Sequence, residues 1–306
     1  MLEYIGKRIL TGILSLFVLV TAAFFLTRMI PGSPFQAGNV SEDVLHSLEE
    51  EYGLDRPVTE QYISYMGNLL RGDLGVSYKK PGVSVADIIA RAWPPTAALG
   101  GLAVAVSAIA GTTLGAWQAV SERKGVRGGI FLGTLLGTAI PNFAIALLLM
   151  LVLGVELKLL PVAGLGSWKH YILPVISLSA YPTAVITRLM HTSFRAEMRQ
   201  DYVTMARAKG LKFWQAAFTH ILRNAWIPVL NYIGPSAAFL MTGSFAVESI
   251  FTIPGLGREF VNSIANRDYT LILGLTVFMG VVVMGVSLAT DLLCAWLDPR
   301  IRRAWR

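Results

Sequence analysis

Six long stretches without a charged residue constrain this chain more than any other feature. Asp, Glu, Lys and Arg are absent from Ile9 to Thr27, Ala92 to Ser121, Gly128 to Val155, His170 to Thr187, Asn224 to Val247, and Tyr269 to Thr290. Each stretch is close to the roughly 17–25 residues that an α-helix needs to cross the hydrocarbon core of a bilayer. Inside lipid every backbone N–H and C=O must find its partner within the protein. None of these stretches shows the alternation of a barrel strand, so helices are the structure that fits. Only 15% of the residues are charged, against about 25% in an ordinary soluble domain. The expectation is an all-α integral membrane protein with six transmembrane helices.

Orientation follows from where Lys and Arg fall, because cytoplasmic loops carry the excess. With the N-terminus inside, sixteen of the 26 basic residues but only six of the 19 acidic ones lie on the inner side. Both termini are therefore expected in the cytoplasm. This asymmetry accounts for the net charge of +7, and nucleic-acid binding is not needed to explain it. The first apolar run follows two basic residues, as in a signal peptide, but it exceeds the usual 7–15 residues. It is read as an uncleaved first span, with cleavage after Ala22-Ala23 as the alternative.

These spans divide the chain into four parts. Residues 1–30 are an N-terminal tail and first transmembrane helix, and 31–92 an external segment. Residues 93–298 form the membrane core of spans two to six, with an inner loop over 193–226. Residues 299–306 are a basic inner tail. In the external segment, "SEDVLHSLEEEYGLDRP" reads as a helix with Ser41 as N-cap, Gly53 as its stop and Pro57 beyond. A second helix follows, with Val58, Tyr62, Tyr65, Met66 and Leu69 near one face. The pair makes either a simple helical cap or a funnel that meets a partner. Between spans five and six, a turn is expected at Pro254-Gly255 and a short helix over Arg258–Ala265. Trp117, Trp226 and Trp296 fall near inner span ends, where indole rings favour the interface.

Several chemistries find no residues to carry them. No phosphate-cradling G-x-x-x-x-G-K-[ST] loop, nucleophile elbow or metal-binding spacing occurs. No catalytic residue and no metal site are assigned, and no enzyme activity is expected. The lone Cys294 cannot form an intrachain disulfide. Arg28, Glu156, Glu248, Asp268 and Asp291 are placed near span ends, where long side chains reach water cheaply. Without an acid at the midplane, ion-coupled secondary transport is disfavoured. Pro141 is expected to kink span three. Gly111 with Gly115, and Gly129 with Gly133 and Gly137, have the spacing that lets helices approach closely. Asn142, Tyr181, Asn231, Ser236, Thr242 and Ser244 are polar groups within the spans. Each either lines a pathway or bonds a neighbouring helix.

The longest inner loop contains "DYVTMARAKGLKFWQAAFTHILRNA", residues 201–225. Tyr202, Met205, Ala206 and Lys209 form one helical pattern before Gly210. Trp214, Ala217, Phe218, Ile221 and Leu222 form another after it. Gly210 permits the turn between them, having no Cβ to forbid positive φ. An amphipathic hairpin lying on anionic headgroups would account for the basic residues. A helix corner presented to a groove on a partner protein accounts for the basic residues and the turn together.

This loop resembles the cytoplasmic loop of ABC-transporter permease subunits, whose Gly-containing motif carries a coupling helix. Counting back from Gly210, the family's leading Glu falls on Thr204, so that residue differs here. "DYVTMARAKGL…HILRNA", with "RMIPGSPF", "YGLDRPVTEQYISY", "GDLGVSY", "TGSFAVESIFTIPGLGREFVNSIANRDY" and "LDPRIR", resembles the branch importing oligopeptides, dipeptides and nickel. The resemblance covers nearly the whole chain and is nearest to the first permease subunit of oligopeptide importers. It implies a second homologous permease subunit, two cytoplasmic ATP-binding subunits and an external substrate-binding protein as partners, all in a bacterial or archaeal cytoplasmic membrane. No cofactor is expected in this chain, with ATP and magnesium bound by the partner ATPases. Ala206, Arg207, Ala208, Lys209, Gly210, Leu211 and Lys212 are then the ATPase-docking corner. Oligopeptides are the expected substrate, with dipeptides, a nickel chelate or glutathione as alternatives. A stand-alone channel or carrier is the reading from a different class.

Overall fold

The computed structural model describes residues 2–30, 34–35 and 42–297. The proposed cap Ser41 and the tail 299–306 lie outside the described residues. Helix α1 (Leu2–Arg28) is followed by the short helices α2 (Glu42–Glu51) and α3 (Val58–Leu70). Then come α4 (Val85–Val120), α5 (Lys124–Ala139) and α6 (Asn142–Leu149), the last continuing as a π-helical turn to Glu156. Helix α7 (Lys169–Glu197) leads to α8 (Asp201–Ala208) and α9 (Phe213–Ala216). A π turn, Ala217–Ile221, joins α9 to α10 (Leu222–Met241). Short helices α11 (Phe245–Ile250) and α12 (Leu256–Ala265) precede α13 (Tyr269–Leu297). Among the described residues β pairing amounts to one isolated bridge, Val76 with Ser84. The chain is an all-α membrane protein.

Four single helices are long and apolar enough to cross a membrane: α1 from Ile5, α4, α7, and α13 to Ala295. The pair α5–α6 passes the same test together but is bent by 106°. Pro141 is the cause. It has no N–H to continue the helix and pushes Ile140 into extended conformation, φ −90° and ψ 124°. The expected kink is thus a full break. The fifth apolar stretch also differs from its expected bounds. Helix α10 ends at Met241, and Gly243, with φ of +99°, turns the chain into α11. Thr242 and Ser244 therefore flank helix ends instead of lying inside a span.

The core is built on the seam between α4 and α7. A Cβ on Gly111 would stand 2.6 Å from Ile186, and one on Gly115 2.5 Å from the Thr187 carbonyl. The absent side chains let the two backbones close, as expected for small residues four apart. Gly100 does the same against α10, where a Cβ would meet the Leu240 carbonyl at 2.6 Å. Of the second glycine set, only Gly137 packs, against Ala180 of α7, while Gly129 and Gly133 face open space. Leu99, Ala103, Leu173, Leu178, Val247 and Phe251 form one buried cluster across these helices. Helix α1 lies on α13, tied by Arg8 to Asp291 at 2.8 Å.

Two acids placed near span ends by sequence are not solvated there. Glu248 and Asp268 are each 1% exposed. Snorkelling fails because both carboxylates find better partners inside. Glu248, on the connection between α10 and α13, accepts from the Thr96 hydroxyl at 2.9 Å and from Arg258 N–H at 2.8 Å. Thr96 in turn accepts from Leu256 N–H at 2.8 Å. Burial pushes the Glu248 carboxyl above its ordinary value, opposed by these donors. Gly255 leaves room for it, since a Cβ there would sit 2.4 Å from the carboxyl carbon. Asp268 accepts from the Ser77 hydroxyl and from Tyr78 N–H at 3.1 Å, clamping the outer segment to the start of α13. Lys80 and Glu259 add an ion pair at 2.9 Å. The turn expected at Pro254-Gly255 falls earlier, where Thr252 has φ of +54° and Ile253 N–H bonds the Glu248 carbonyl at 2.7 Å.

Candidate functional site

The Gly-centred hairpin follows α7, which is longer than a membrane crossing needs. Its 29 residues span about 44 Å at 1.5 Å per residue, well beyond a hydrocarbon core of about 30 Å. Helix α8 folds back from its end and stops at a Schellman corner. Leu211 N–H reaches the Ala206 carbonyl at 3.3 Å and Gly210 N–H the Arg207 carbonyl at 3.0 Å. That bond pair requires a left-handed residue after the helix, and Gly210 supplies it with φ of +90°. The next helix is started at Lys212, whose N–H donates to the Gln215 side chain at 3.0 Å.

The corner is fixed from below. Val203, Ala217, Ile221 and Ala225 are buried against Ile186, Met190 and Phe194 of α7. Tyr202 donates its hydroxyl proton to Glu197, and Asn224 N–H₂ donates to Tyr202 Oη at 3.2 Å. Burial raises the Tyr202 phenol above its ordinary value and the Glu197 bond adds to this, against the Asn224 amide. The phenol accordingly stays a donor at neutral pH and spans the hairpin. The outward face is apolar and basic together. Met205 and Trp214 are 60% exposed and Phe218 69%, with Arg207, Lys209 and Lys212 exposed beside them. Large apolar side chains ringed by cations suit a protein groove better than water.

Of the seven residues assigned to this corner, Arg207, Ala208, Lys209, Gly210 and Lys212 are exposed and Leu211 half-buried. Ala206 is buried and holds the corner from inside. Met205, Trp214 and Phe218 are also exposed on the hairpin, the ring centroids of Trp214 and Phe218 lying 6.3 Å apart, although the sequence reading did not assign them to the corner. Their signal was the apolar spacing across Gly210, which on a buried helix means core.

The second feature is a cavity of about 460 Å³ at the α5–α6 break. Asn142, Tyr181 and Ser236 line it together, with Tyr232 and Phe239 of α10. Asn231, Thr242 and Ser244 are not among its lining. Asn231 precedes Tyr232 by one position and so points about 100° away on the helix, to an exposed face. Tyr232 was missed because a tyrosine among apolar residues reads as packing, and only its i, i+4 spacing with Ser236 hints otherwise.

A helical membrane protein with an exposed Gly-centred helix corner and a mainly apolar cavity carrying a few polar groups at a broken helix has parts that suit a transport-system membrane component. The comparisons define which. Residues 111–303 match the family described as binding-protein-dependent transport system inner membrane component. Residues 1–100 match the N-terminal region of such membrane components. The chain is similar to the dipeptide transport system permease protein DppB of Lactococcus lactis subsp. cremoris, 40% identical over 99% of this chain and 100% of the relative. It is similar to DppB of Bacillus subtilis, 39% identical over 99% of this chain and 98% of the relative. With the oligopeptide transport system permease protein OppB of Haemophilus influenzae it shares 37% identity over 99% and 100%. The chain belongs to the binding-protein-dependent transport-system permease family, and the resemblance stated from its motifs is borne out.

Proposed function

We propose that this chain is one permease subunit of an ATP-driven importer for peptides. Similarity along its full length to permeases named for oligopeptide and dipeptide transport carries this reading. In it the chain crosses the membrane six times, the 20-residue α10 making the fifth crossing, with both termini in the cytoplasm. A second homologous permease completes the pathway, and an external binding protein delivers substrate to the outer segment. Two cytoplasmic ATP-binding subunits hydrolyse ATP bound with magnesium, and this chain holds neither. The corner over Ala206–Lys212, with Met205, Trp214 and Phe218, seats in a groove on one of them. Closure of those subunits on ATP moves the hairpin as a rigid lever, because Tyr202, Glu197 and Asn224 lock it to α7. Asn142, Tyr181, Tyr232 and Ser236 face the passing peptide with uncharged hydrogen-bonding groups, which suits a cargo of varied side chains.

The named relatives divide between dipeptides and oligopeptides, so peptide length is a question for measurement. Co-reconstitution with the second permease, both ATPases and the binding protein should give ATP-dependent uptake of a labelled peptide ladder. The chain reconstituted alone should give none. ATP-independent uptake by the isolated chain would make it a channel or secondary carrier and remove the proposal.

A further inference from the structure

A second cavity of about 350 Å³ opens in the outer segment and shares no residue with the cavity at the α5–α6 break. Small-molecule sites start at roughly 300 Å³. Its distinctive feature is unspent hydrogen-bonding capacity. Among the described residues, seven buried side-chain N or O atoms have no hydrogen-bond partner, and four of them belong to its lining residues Arg28, Gln61 and Tyr65. Such orphans are costly where water is excluded, so their concentration in one cavity points to a ligand.

Each of the three is held in position by its neighbours. The Arg28 guanidinium carbon lies 5.0 Å from the Phe24 ring centroid and 5.1 Å from that of Tyr269. The two rings take the faces of the planar group and leave Nε and Nη1 unpartnered. Gln61 donates its amide to the Leu54 carbonyl at 3.1 Å and the Arg56 carbonyl at 2.8 Å. That fixes Oε1 as the free acceptor. Burial pushes the Tyr65 phenol up to about 12, so it stays protonated and able to donate. Glu51, Glu60 and Asp73 also line the cavity, with Arg56 as a second cation, and none of the three acids pairs with Arg28. An inorganic dianion would meet those three carboxylates, whereas a zwitterion meets both signs.

We propose that this cavity binds a small zwitterion carrying an α-carboxylate and a primary ammonium, as in a free amino acid or a short peptide. Arg28 and Tyr65 donate to the carboxylate. Gln61 Oε1 and the Glu51 and Glu60 carboxylates receive the ammonium. The inference rests on the peptide-import reading only for its choice of probes.

The test uses the complete importer in lipid nanodiscs without the external binding protein. Radiolabelled L-alanine and L-alanyl-L-alanine are titrated in parallel, which distinguishes the two sources of the same chemistry. Saturable binding of at least one is expected, with the C-terminal amide competing at least about tenfold more weakly, as befits a lost charge-assisted bond. Arg28→Met should weaken binding by a similar factor and abolish the rise in melting temperature that the bound probe gives the wild type. Should Arg28→Met fail to assemble, Tyr65→Phe decides, since it removes one hydroxyl and nothing else. The proposal is overturned by absence of saturable binding, by equal competition from the amide or from inorganic phosphate, or by wild-type affinity in both variants. ATP-driven uptake with the binding protein present is followed alongside. Its loss in the wild type overturns the importer reading, and its retention without nanodisc binding overturns this site alone.

Discussion

Replacing Gly210 tests whether the inner corner transmits force. Gly210 has φ of +90°, and no atom lies within 4 Å of where its Cβ would be. A larger side chain therefore meets no clash, and the whole penalty falls on the backbone. A left-handed conformation costs an L-residue about 1–2 kcal/mol, and up to about 3 kcal/mol for a residue held against its preference. Since 1.4 kcal/mol is a factor of ten, Gly210→Val should shift the corner about ten- to a hundredfold toward a form without the Leu211–Ala206 bond. Gly210→Asn should cost far less, because Asn tolerates positive φ. Hydrogen exchange of the 206–212 amides reads the corner directly, and ATP-driven peptide uptake reads its consequence. Membrane insertion should be normal in all variants. Wild-type exchange and uptake in the Val variant would refute the reasoning, as would an Asn variant as damaged as the Val one.

Gly115→Leu should separate α4 from α7, because even a Cβ would stand 2.5 Å from the Thr187 carbonyl. A loss of about 1–3 kcal/mol is expected as a lowered melting temperature, whereas Gly129→Leu, which faces open space, should leave it unchanged. Tyr202→Phe removes the link from α8 to Glu197 and Asn224. ATP hydrolysis should persist while peptide moved per ATP falls, measured in proteoliposomes. Glu248 gives a pH dependence. Burial raises its carboxyl, so its stabilisation is present below the ordinary glutamate range and is lost as pH rises through the raised value. As pH rises above the ordinary glutamate range the wild-type melting temperature should therefore fall more steeply than that of Glu248→Gln; parallel curves would exclude the carboxyl as the source. Ser236→Trp should narrow the 460 Å³ cavity and reduce uptake without preventing assembly, as judged by size-exclusion chromatography.

Local chemistry made several elements legible. Gly210 had to be a turn because a corner was needed where a helical pattern restarted, and a residue without Cβ reaches +90° most cheaply. Pro141 had to interrupt its helix for want of an N–H, although the 106° bend depends on what α6 packs against. Other features could not be read that way. Glu248 and Asp268 looked like span-end charges because sequence distance hides their donors: Thr96 is 152 positions from Glu248, and Ser77 is 191 from Asp268. The choice among polar residues on α10 likewise turned on about 100° per residue. Asn231 was named and its neighbour Tyr232 is the one that lines the cavity.

By itself the sequence determined the solvent and therefore the fold class. Charge-free runs of membrane length leave the backbone no option but helices, and the Gly-centred inner loop with the flanking motifs placed the chain in its family. Only tertiary structure decided which polar groups matter together. Arg28, Gln61 and Tyr65 come from two helices and are ordinary residues one by one. Packing brings their unpartnered atoms to a single cavity, and hydrogen-bond satisfaction, unlike hydropathy, is a property of neighbours in space.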